Sequence, residues 1–549
     1  MGPNAGSFLP NQGLSGLLKE GTKHITGLDE AVARNIDACR QLSAIVRTSL
    51  GPNGMNKMIV NHLGKLFVTS DAATIVRELE VIHPAAKLIV MASEAQEREV
   101  GDGTGLVVAF AGELLDHAEK LLRMGLHTAE IVQGYERAGE EALAILETLA
   151  VHKVPNVKDV EAVTTAISPS IASKHYGLES VLAPLVARAC IAVLPASLNM
   201  FSVENIRVAK VLGGSVSDSS VVSGAVFLRN VEGTIHKVSN ARVAIYTCDF
   251  EASQSETKGT VLLKSAKEFT NYNKSEELML ESKIKAIAES GVTVIAAPKF
   301  GEVAMHFLEK YKIMVIRCQS KFDLRRVART TGAIAMAKMN TPTTDEQGRA
   351  DHVQVEEIGS TKCIVFRQEK EGSRIATILV RASTQNLLDD IDRSIDDAVN
   401  VFKGMTRDSR FVAGAGACEI ELSRKLHEFA EARPGLDQYS IKKYAESLEV
   451  IPRVLAETSG FDATNIISSL VAAHAAGQST AGLDVAEGVV TDSMKAQIFD
   501  LLITKHWALK LATDAVCNIL RVDQIIMAKM AGGPKPRDMQ AADAMDEAP

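Results

Sequence analysis

The first third of the chain has apolar residues at the spacing of amphipathic helices. Between Leu28 and Thr48 they recur every three or four positions, which predicts one long helix. A Gly/Pro turn at 51–54 is followed by two short apolar runs, Met58–Val60 and Lys65–Thr69, which predict a hairpin. Further helices are predicted over three ranges: His83–Glu99, Leu106–Met124 and Thr128–Leu149.

The pattern changes to short β-rich runs from about residue 205. Helical stretches at Ser275–Ser290 and Glu302–Tyr311 separate several of these runs, and this alternation is typical of a compact α/β domain. The predicted strands are Ile206–Val211, Val243–Thr247, Val292–Ala297, Ile313–Arg317, Cys363–Phe366 and Thr377–Val380. After 385 the chain is predicted to be helical again until about 530. The simplest arrangement is an α/β domain inserted into a helical domain built from both chain ends.

Composition excludes several classes of protein. Lys and Arg total 60 and Asp and Glu 68, so the net charge of −8 lacks the basic footprint of a nucleic-acid-binding protein. The seven cysteines form no CxxC pair, which argues against zinc ribbons and is typical of reduced thiols in a cytosolic protein. No apolar run has the length of a membrane span, and the N-terminus has no secretory or transit pattern.

The sequence Gly101-Asp102-Gly103-Thr104-Gly105 comes directly before a predicted helix. Glycines allow a ligand to approach the backbone, and the N–H groups at a helix start favour a phosphate. Asp102 would repel a phosphate unless Mg²⁺ lay between them, an arrangement common in nucleotide sites. The alternative is an ordinary helix N-cap, since Asp and Thr are both good caps.

Three other segments are weaker candidates for a site. The turn at Leu50-Gly51 is equally well explained as a helix C-cap. The segment 387–402 predicts a helix whose Asp390 and Asp397 share one face, where a carboxylate could orient an attacking water; a solvated acidic face explains it as well. The small residues at 412–417 indicate either close helix packing or close approach of a ligand. Neither the turn at 50–54 nor the segment 101–105 is a Walker A loop or a GxGxxG fingerprint.

Taken in order, these motifs resemble the group II chaperonins. The resemblance covers nearly the whole chain, and its details are closest to one subunit of the eukaryotic cytosolic chaperonin (TRiC, also called CCT). The motifs that carry it are LGPNGMNKM at 50–58, SDAATI at 70–75, VGDGTG at 100–105, DDAV at 396–399, VAGAGACEIEL at 412–422 and LRVDQIIMAK at 520–529.

The resemblance implies a multi-domain α+β fold. A mostly helical equatorial domain would comprise 1–154 and 412–530, and a small intermediate domain 155–223 and 379–411. An α/β apical domain would occupy 224–378, with a helical lid protrusion at about 250–277, and 531–549 would be a disordered tail. The subunit would join paralogous subunits in an eight-membered ring, two rings stacked, that encloses unfolded clients such as actin and tubulin. It would be cytoplasmic, with no nucleic-acid or membrane partner.

The resemblance also assigns site residues by position. ATP and Mg²⁺ would be the cofactors, with Asp397 as the catalytic residue that orients water and Asp102 as the metal ligand. The nucleotide would contact Leu50, Gly51, Asp102, Gly103, Thr104, Gly105, Ser173, Lys174, Gly414, Ala415, Gly416, Gly482 and Asp500.

The sequence departs from the family pattern at five positions. Asn56 and Asn61 stand where many members have Asp, Gly105 replaces Thr or Ser, Ala72 replaces Gly, and Ala415 interrupts a glycine triplet. Asn keeps the shape of Asp without its charge, so we expect nucleotide binding with slower hydrolysis than in paralogues that retain the motifs. Two other hypotheses stay open: a small-molecule ATP-dependent enzyme, and a structural ring subunit that has lost ATP turnover.

Overall fold

A computed structural model describes residues 23–25, 28–251, 265–368 and 374–527. The predicted N-terminal helices and the predicted hairpin are confirmed, and a short additional helix follows the hairpin. In chain order the elements are β1 (Lys23–Ile25), α1 (Leu28–Arg47), β2 (Lys57–Val60), β3 (Leu66–Thr69), α2 (Ala72–Glu78), α3 (Pro84–Glu99), α4 (Thr104–Arg123), α5 (Thr128–Thr148) and β4 (His152–Lys153).

The middle of the chain alternates strands and helices as predicted. Short 3₁₀ turns at Leu198–Met200, Val203–Asn205 and Val216–Asp218 interrupt it. Its elements are α6 (Val160–Ala172), α7 (Glu179–Ala192), β5 (Ile206–Leu212), β6 (Ser220–Phe227), β7 (Lys237–Tyr246), α8 (Ala266–Glu289), β8 (Val294–Ala297), α9 (Glu302–Lys310), β9 (Met314–Arg317), α10 (Lys321–Thr331), β10 (Ala335–Met336), β11 (Gly348–Ile358), β12 (Thr361–Arg367) and β13 (Ala376–Ala382).

The last part is less uniformly helical than predicted. Between 476 and 501 three short strands and their turns replace the expected helix, because this polar, glycine-containing stretch has no continuous apolar face. The elements are α11 (Gln385–Arg407), β14 (Arg410–Ala413), α12 (Ala417–Glu431), α13 (Asp437–Leu448), α14 (Val450–Thr458), α15 (Ala463–Ala475), β15 (Ala481–Leu483), β16 (Val490–Asp492), β17 (Phe499–Leu501), α16 (Leu502–Leu520) and β18 (Ile525–Met527).

The largest core is built from both ends of the chain. Its buried side chains come from residues 32–146 and 412–520, and the rings of Phe110 and Tyr135 both pack edge-on against Tyr444. The Tyr444 hydroxyl and Thr513 Oγ1 lie 2.9 Å apart, so this buried hydroxyl keeps a polar partner. At the periphery, β1 pairs antiparallel with β18, which brings the two ends of the described chain together.

A second core lies beside the first, where α6 and α7 pack against α11 and the strands β5 and β13. The apolar stripe of α11, which includes Ile391, Ile395 and Phe402, is fully buried in it. The acidic residues of α11 lie off that stripe, and two of them face the N-terminal part of the chain: Asp390 accepts a hydrogen bond from Thr69, and Asp397 lies close to Asp71. The junction between these two cores is where the candidate site forms.

The remaining cores surround one extended mixed sheet. In the described chain its strand order is β5-β13-β6-β12-β11-β7-β8-β9, with β10 paired to β7. The pairs β5/β13, β7/β8 and β8/β9 are parallel, and the pairs between β13 and β7 are antiparallel. Helices α8 and α9 cover one face of its parallel end.

These observations agree with a multi-domain α+β protein, and the domain boundaries given above stay predictions. Of the predicted lid protrusion at 250–277, residues 252–264 lie outside the described residues. The predicted tail at 531–549 also lies outside them. Among the described helices, none is both long enough and apolar enough to cross a lipid bilayer.

Candidate nucleotide site

A cavity of about 240 Å³ lies at the junction of the first and second cores. It brings together every site residue assigned from the resemblance except Gly414 and Gly482. The assigned residues in its lining are Leu50, Gly51, Asp102, Gly103, Thr104, Gly105, Ser173, Lys174, Asp397, Ala415, Gly416 and Asp500. They come from both chain ends and from the middle, so only the folded chain assembles them.

The first wall of the cavity is the start of α4. Gly103 is its N-cap, with φ +80° and no side chain to cap the helix, so the first-turn N–H groups of α4 lack a side-chain partner. Gly101 also has a positive φ, and a Cβ there would overlap Asn400. The backbone of this loop therefore lies closer to α11 than any residue other than glycine allows.

A second helix start, that of α12, borders the same cavity. Its N-cap is Gly416, with φ +81° and again no capping side chain. Ala415 before it has φ +57°, a left-handed conformation that is strained for a residue with a Cβ. Gly414 and Gly482 lie behind Ala415 rather than in the lining: a Cβ on Gly482 would lie 3.0 Å from that of Ala415.

Lys174 links two carboxylates at the junction of the cores. Its Nζ lies 3.1 Å from Asp71 Oδ1 and forms an ion pair with Asp397 Oδ2. Burial alone would lower the pKa of Lys174, but the charges of Asp397 and Asp71 outweigh it and raise that pKa. Burial likewise opposes ionisation of Asp71, yet Lys174 and two hydrogen bonds from Thr74 lower its pKa to about 2.

Two carboxylates on this side of the cavity, Asp397 and Asp102, have raised pKa values. Burial raises the pKa of Asp397 well above its usual range, although Lys174 acts in the opposite direction. Burial also raises the pKa of Asp102, whose Oδ1 accepts a 2.7 Å hydrogen bond from the Gly103 N–H. Asp102 Oδ2 has a longer contact, 3.5 Å, with the Ser170 hydroxyl. The charges of Lys174 and Lys505 only partly offset the effect of burial on Asp102, and a carboxylate in this position suits a divalent cation.

A second lysine, Lys505, lies on another side of the cavity. It pairs with the buried Glu419 and lies 2.9 Å from Asp500 Oδ2. Burial would lower its pKa, but Asp500 and Glu419 raise it. The rest of the lining includes an apolar group, Ile451, Leu455, Leu483, Val485 and Ile498, which suits the flat face of a base.

The structure places Ser173 in the cavity lining but separates the two predicted carboxylates, Asp390 and Asp397. Ser173 lines the cavity, and its hydroxyl donates to the Ser170 carbonyl at 2.7 Å. Asp390, expected to share a face with Asp397, does not line the cavity: it accepts a 2.9 Å hydrogen bond from Thr69 and lies 3.4 Å from His175. The position of Asp390 makes it a packing residue, because β3 and the end of α6 cover that side of α11.

Comparisons with known proteins identify the family to which the chain is similar. The family model described as the TCP-1/cpn60 chaperonin family matches residues 42–530. The chain belongs to this chaperonin family. It is 52% identical to T-complex protein 1 subunit theta of Dictyostelium discoideum over 97% of this chain and 100% of that protein. The theta subunits of Gallus gallus and Homo sapiens are 52% and 51% identical, each over 95% of this chain and 96% of that protein.

Membership of the chaperonin family confirms the resemblance found in the motifs, and the theta subunit is the one that their details predict. The departures from the family pattern divide into two groups in the structure. Gly105 and Ala415 line the cavity, and a Cβ on Gly105 would lie 2.9 Å from Leu50 Cδ1 and 3.7 Å from the Ala72 methyl. Compared with the family pattern, Ala72 adds a methyl group and Gly105 removes a side chain, and the two positions are neighbours. The volume added at 72 is therefore offset by the volume lost at 105.

The two asparagines of the chaperonin motifs lie outside the cavity lining. Asn56 is exposed after α1, and the Asn61 side chain organises the β2–β3 loop, accepting from the N–H groups of Leu63 and Lys65 and donating to Glu78. Neither asparagine is therefore in a position to act directly on Mg²⁺ or water in the cavity, contrary to the expectation from the sequence.

Sequence reasoning missed two charged residues of the lining, Asp71 and Lys505, and it also missed Glu419, the ion-pair partner of Lys505. Asp71 lies in the SDAATI motif, but its position before a helix is explained by capping alone, and it does cap α2. Glu419 and Lys505 are 86 positions apart, and no local pattern pairs them.

Proposed function

We propose that this chaperonin subunit binds ATP with Mg²⁺ in the cavity and hydrolyses it. The observation that carries the proposal is the convergence of two helix starts, each with a glycine N-cap, on a cavity that also holds Lys174 and four carboxylates. Unpaired N–H groups and helix dipoles favour phosphates, and the carboxylates favour the cation that accompanies them. The apolar group of the lining would receive the adenine.

Three of the charged residues then have definite roles in hydrolysis. The γ-phosphoryl group passes to water: the water oxygen bonds to phosphorus, the bond to the bridging oxygen breaks, and ADP leaves with that electron pair. Asp397 orients the water and accepts a proton from it, and that proton is then released to solvent. The raised pKa of Asp397 makes it a stronger base than an ordinary aspartate. Lys174 holds Asp397 in place. Asp102 would hold Mg²⁺, which neutralises phosphate charge.

The family supports a wider proposal for the assembled protein. The subunit would occupy one position in an eight-membered ring of paralogous subunits, with two rings stacked in the cytoplasm. ATP binding and hydrolysis would close the lid over unfolded clients such as actin and tubulin. Asp397 lies on α11 and Lys174 follows α6, both helices of the second core, whereas Asp71 caps α2 of the first core. The state of the nucleotide can therefore change how the two cores are held together through Lys174.

We also propose that hydrolysis in this subunit is slower than in paralogues with the full motif set. Gly105 supports this, because it lacks the hydroxyl that Thr or Ser would place in the first turn of α4. Single-turnover phosphate release as fast as that of such a paralogue would contradict it.

The first experiment is native mass measurement of the protein purified from its source, with and without ATP. A particle near a megadalton that contains several paralogues supports the ring, and loss of part of its ATP cleavage on Asp397→Ala supports the catalytic role. A monomer or small dimer that turns over ATP on a metabolite would instead identify a conventional enzyme on a chaperonin fold.

A further inference from the structure

A second cavity, of about 720 Å³, adjoins the candidate nucleotide site. The linings of the two cavities have only Asp71 and Asp397 in common, so these carboxylates form the partition between them. The rest of the second lining is mostly charged or polar: Phe67, Thr74, Arg77, Glu78, Glu94, Glu97, Arg98, Gly101, Val203, Arg393, Asp396 and Asn400.

The second cavity is open to solvent and large enough to hold many waters. Arg98 and Arg77 in its lining have side chains that are 77% and 50% exposed. On its inner side, α11 contributes Asp396, Asp397 and Asn400, which lie within one turn of that helix. A polar chamber of this size fills with water, and that water is in contact with the partition.

Hydrolysis creates a need for such a chamber. When ATP fills the first cavity, the nucleotide displaces the water that this cavity would otherwise hold beside Asp397. Lys174 holds Oδ2 of Asp397 on the side of the first cavity, and the same carboxylate also borders the second. One water must arrive at Asp397, and one proton must leave, in every turnover.

We propose that the second cavity supplies water to Asp397 and carries away the released proton while nucleotide occupies the first. This inference rests on the ATPase function proposed above. Phosphate is the less suitable occupant: the four acids Glu78, Glu94, Glu97 and Asp396 outnumber the three arginines even before the partition is counted. A phosphate dianion would be repelled by this balance, whereas water is not.

Blocking the second cavity tests the proposal. Val203→Trp fills the chamber from its 3₁₀ turn, and Arg98→Trp narrows the mouth at an exposed position where folding is little affected. The matched controls are Val471→Trp, on the exposed side of α15, and Arg123→Trp, whose side chain is 76% exposed at the end of α4; neither residue lines either cavity. The variants are assembled into the complete complex with its partner subunits.

Three quantities are measured: nucleotide affinity, single-turnover ATP cleavage by quenched flow, and phosphate release with a fluorescent phosphate sensor. Asp397→Ala in this subunit identifies its own cleavage phase; if no phase disappears, the ATPase proposal itself fails. Once that phase is identified, we expect Val203→Trp to slow ATP cleavage in it by about tenfold and Arg98→Trp to slow it less. The two control variants should cleave at the normal rate, and nucleotide affinity should be unchanged in all four variants. An unchanged cleavage phase in either assembled variant overturns the inference. Slow phosphate release after normal cleavage also overturns it and identifies a phosphate exit.

Discussion

The two lysines that line the cavity have the same chemistry and different connections. Lys505 and its partner Glu419 lie on α16 and α12 within the first core, and Asp500 is in the strand immediately before α16. Lys174 instead joins Asp71, at the start of α2 in the first core, to Asp397 in the second. The comparison separates an ion pair that stabilises one core from an ion pair that connects two cores across a ligand cavity.

The largest expected effect is that of Asp397→Ala. Loss of the base should slow ATP cleavage by about 10²–10⁴-fold with nucleotide affinity nearly unchanged, because binding depends on the helix starts. Quenched-flow cleavage and equilibrium binding measure the two quantities. Asp389→Asn, on the same helix but paired with Lys210, is the control and should cleave normally.

Lys505→Met should give the largest loss of stability. The substitution leaves the buried Glu419 and its neighbour Asp500 without this cation. Breaking a buried ion pair lowers the free energy of unfolding by about 3–5 kcal/mol. The denaturant midpoint of the isolated subunit measures it. Lys510→Met, on the exposed side of the same helix, should change the midpoint little. Equal losses in both variants would mean that the ion pairs of Lys505 contribute no more to stability than any positive charge on this helix.

Lys174→Met should act more locally. We expect a smaller loss, about 1–3 kcal/mol, since its partners keep other contacts, such as the hydrogen bonds from Thr74 to Asp71. Hydrogen exchange should rise in α6 and α11 and stay low in α12 and α16. A uniform rise across all four helices would contradict the assignment of Lys174 to the junction.

Asp71 makes the junction sensitive to acid. Its pKa, about 2 in the folded protein against a usual 3.8, means that its stabilisation is complete above about pH 5 and is lost as the pH falls through 4 toward 2. The difference corresponds to about 2 kcal/mol. Asp71→Asn should therefore be less stable at pH 7 and show a flatter decline of stability below pH 5, measured by denaturant titration at each pH.

The smallest expected effect is a gain. Ala415→Gly relieves a residue at φ +57° and should stabilise the protein by about 1 kcal/mol. Gly482→Ala should do the reverse, because its new Cβ would crowd Ser493 and the Ala415 methyl. Thermal unfolding compares them; if Ala415→Gly shifts the transition downward, the methyl group contributes packing that exceeds its strain.

The contrast also shows what could be predicted from the sequence. Long apolar periods predicted α1, α3, α4 and α5 to within two residues, because a helix face is a local pattern. The glycines around 101–105 were found for the same reason, since their backbone needs are local. The Lys174 and Lys505 pairings depend on segments that are far apart in sequence, and the short strands at 481–501 have too few residues for a period to be visible.

The pairing of β1 with β18, and the first core that it borders, has a consequence for how the protein is made. Helices α1 to α5 emerge from the ribosome well before α12, the first C-terminal helix that completes their core, because more than 250 residues intervene. At roughly 5–20 residues per second this is a delay of about 10–50 s. During this delay the apolar faces of α1 to α5 have no C-terminal partner to cover them, so the nascent chain needs protection from aggregation.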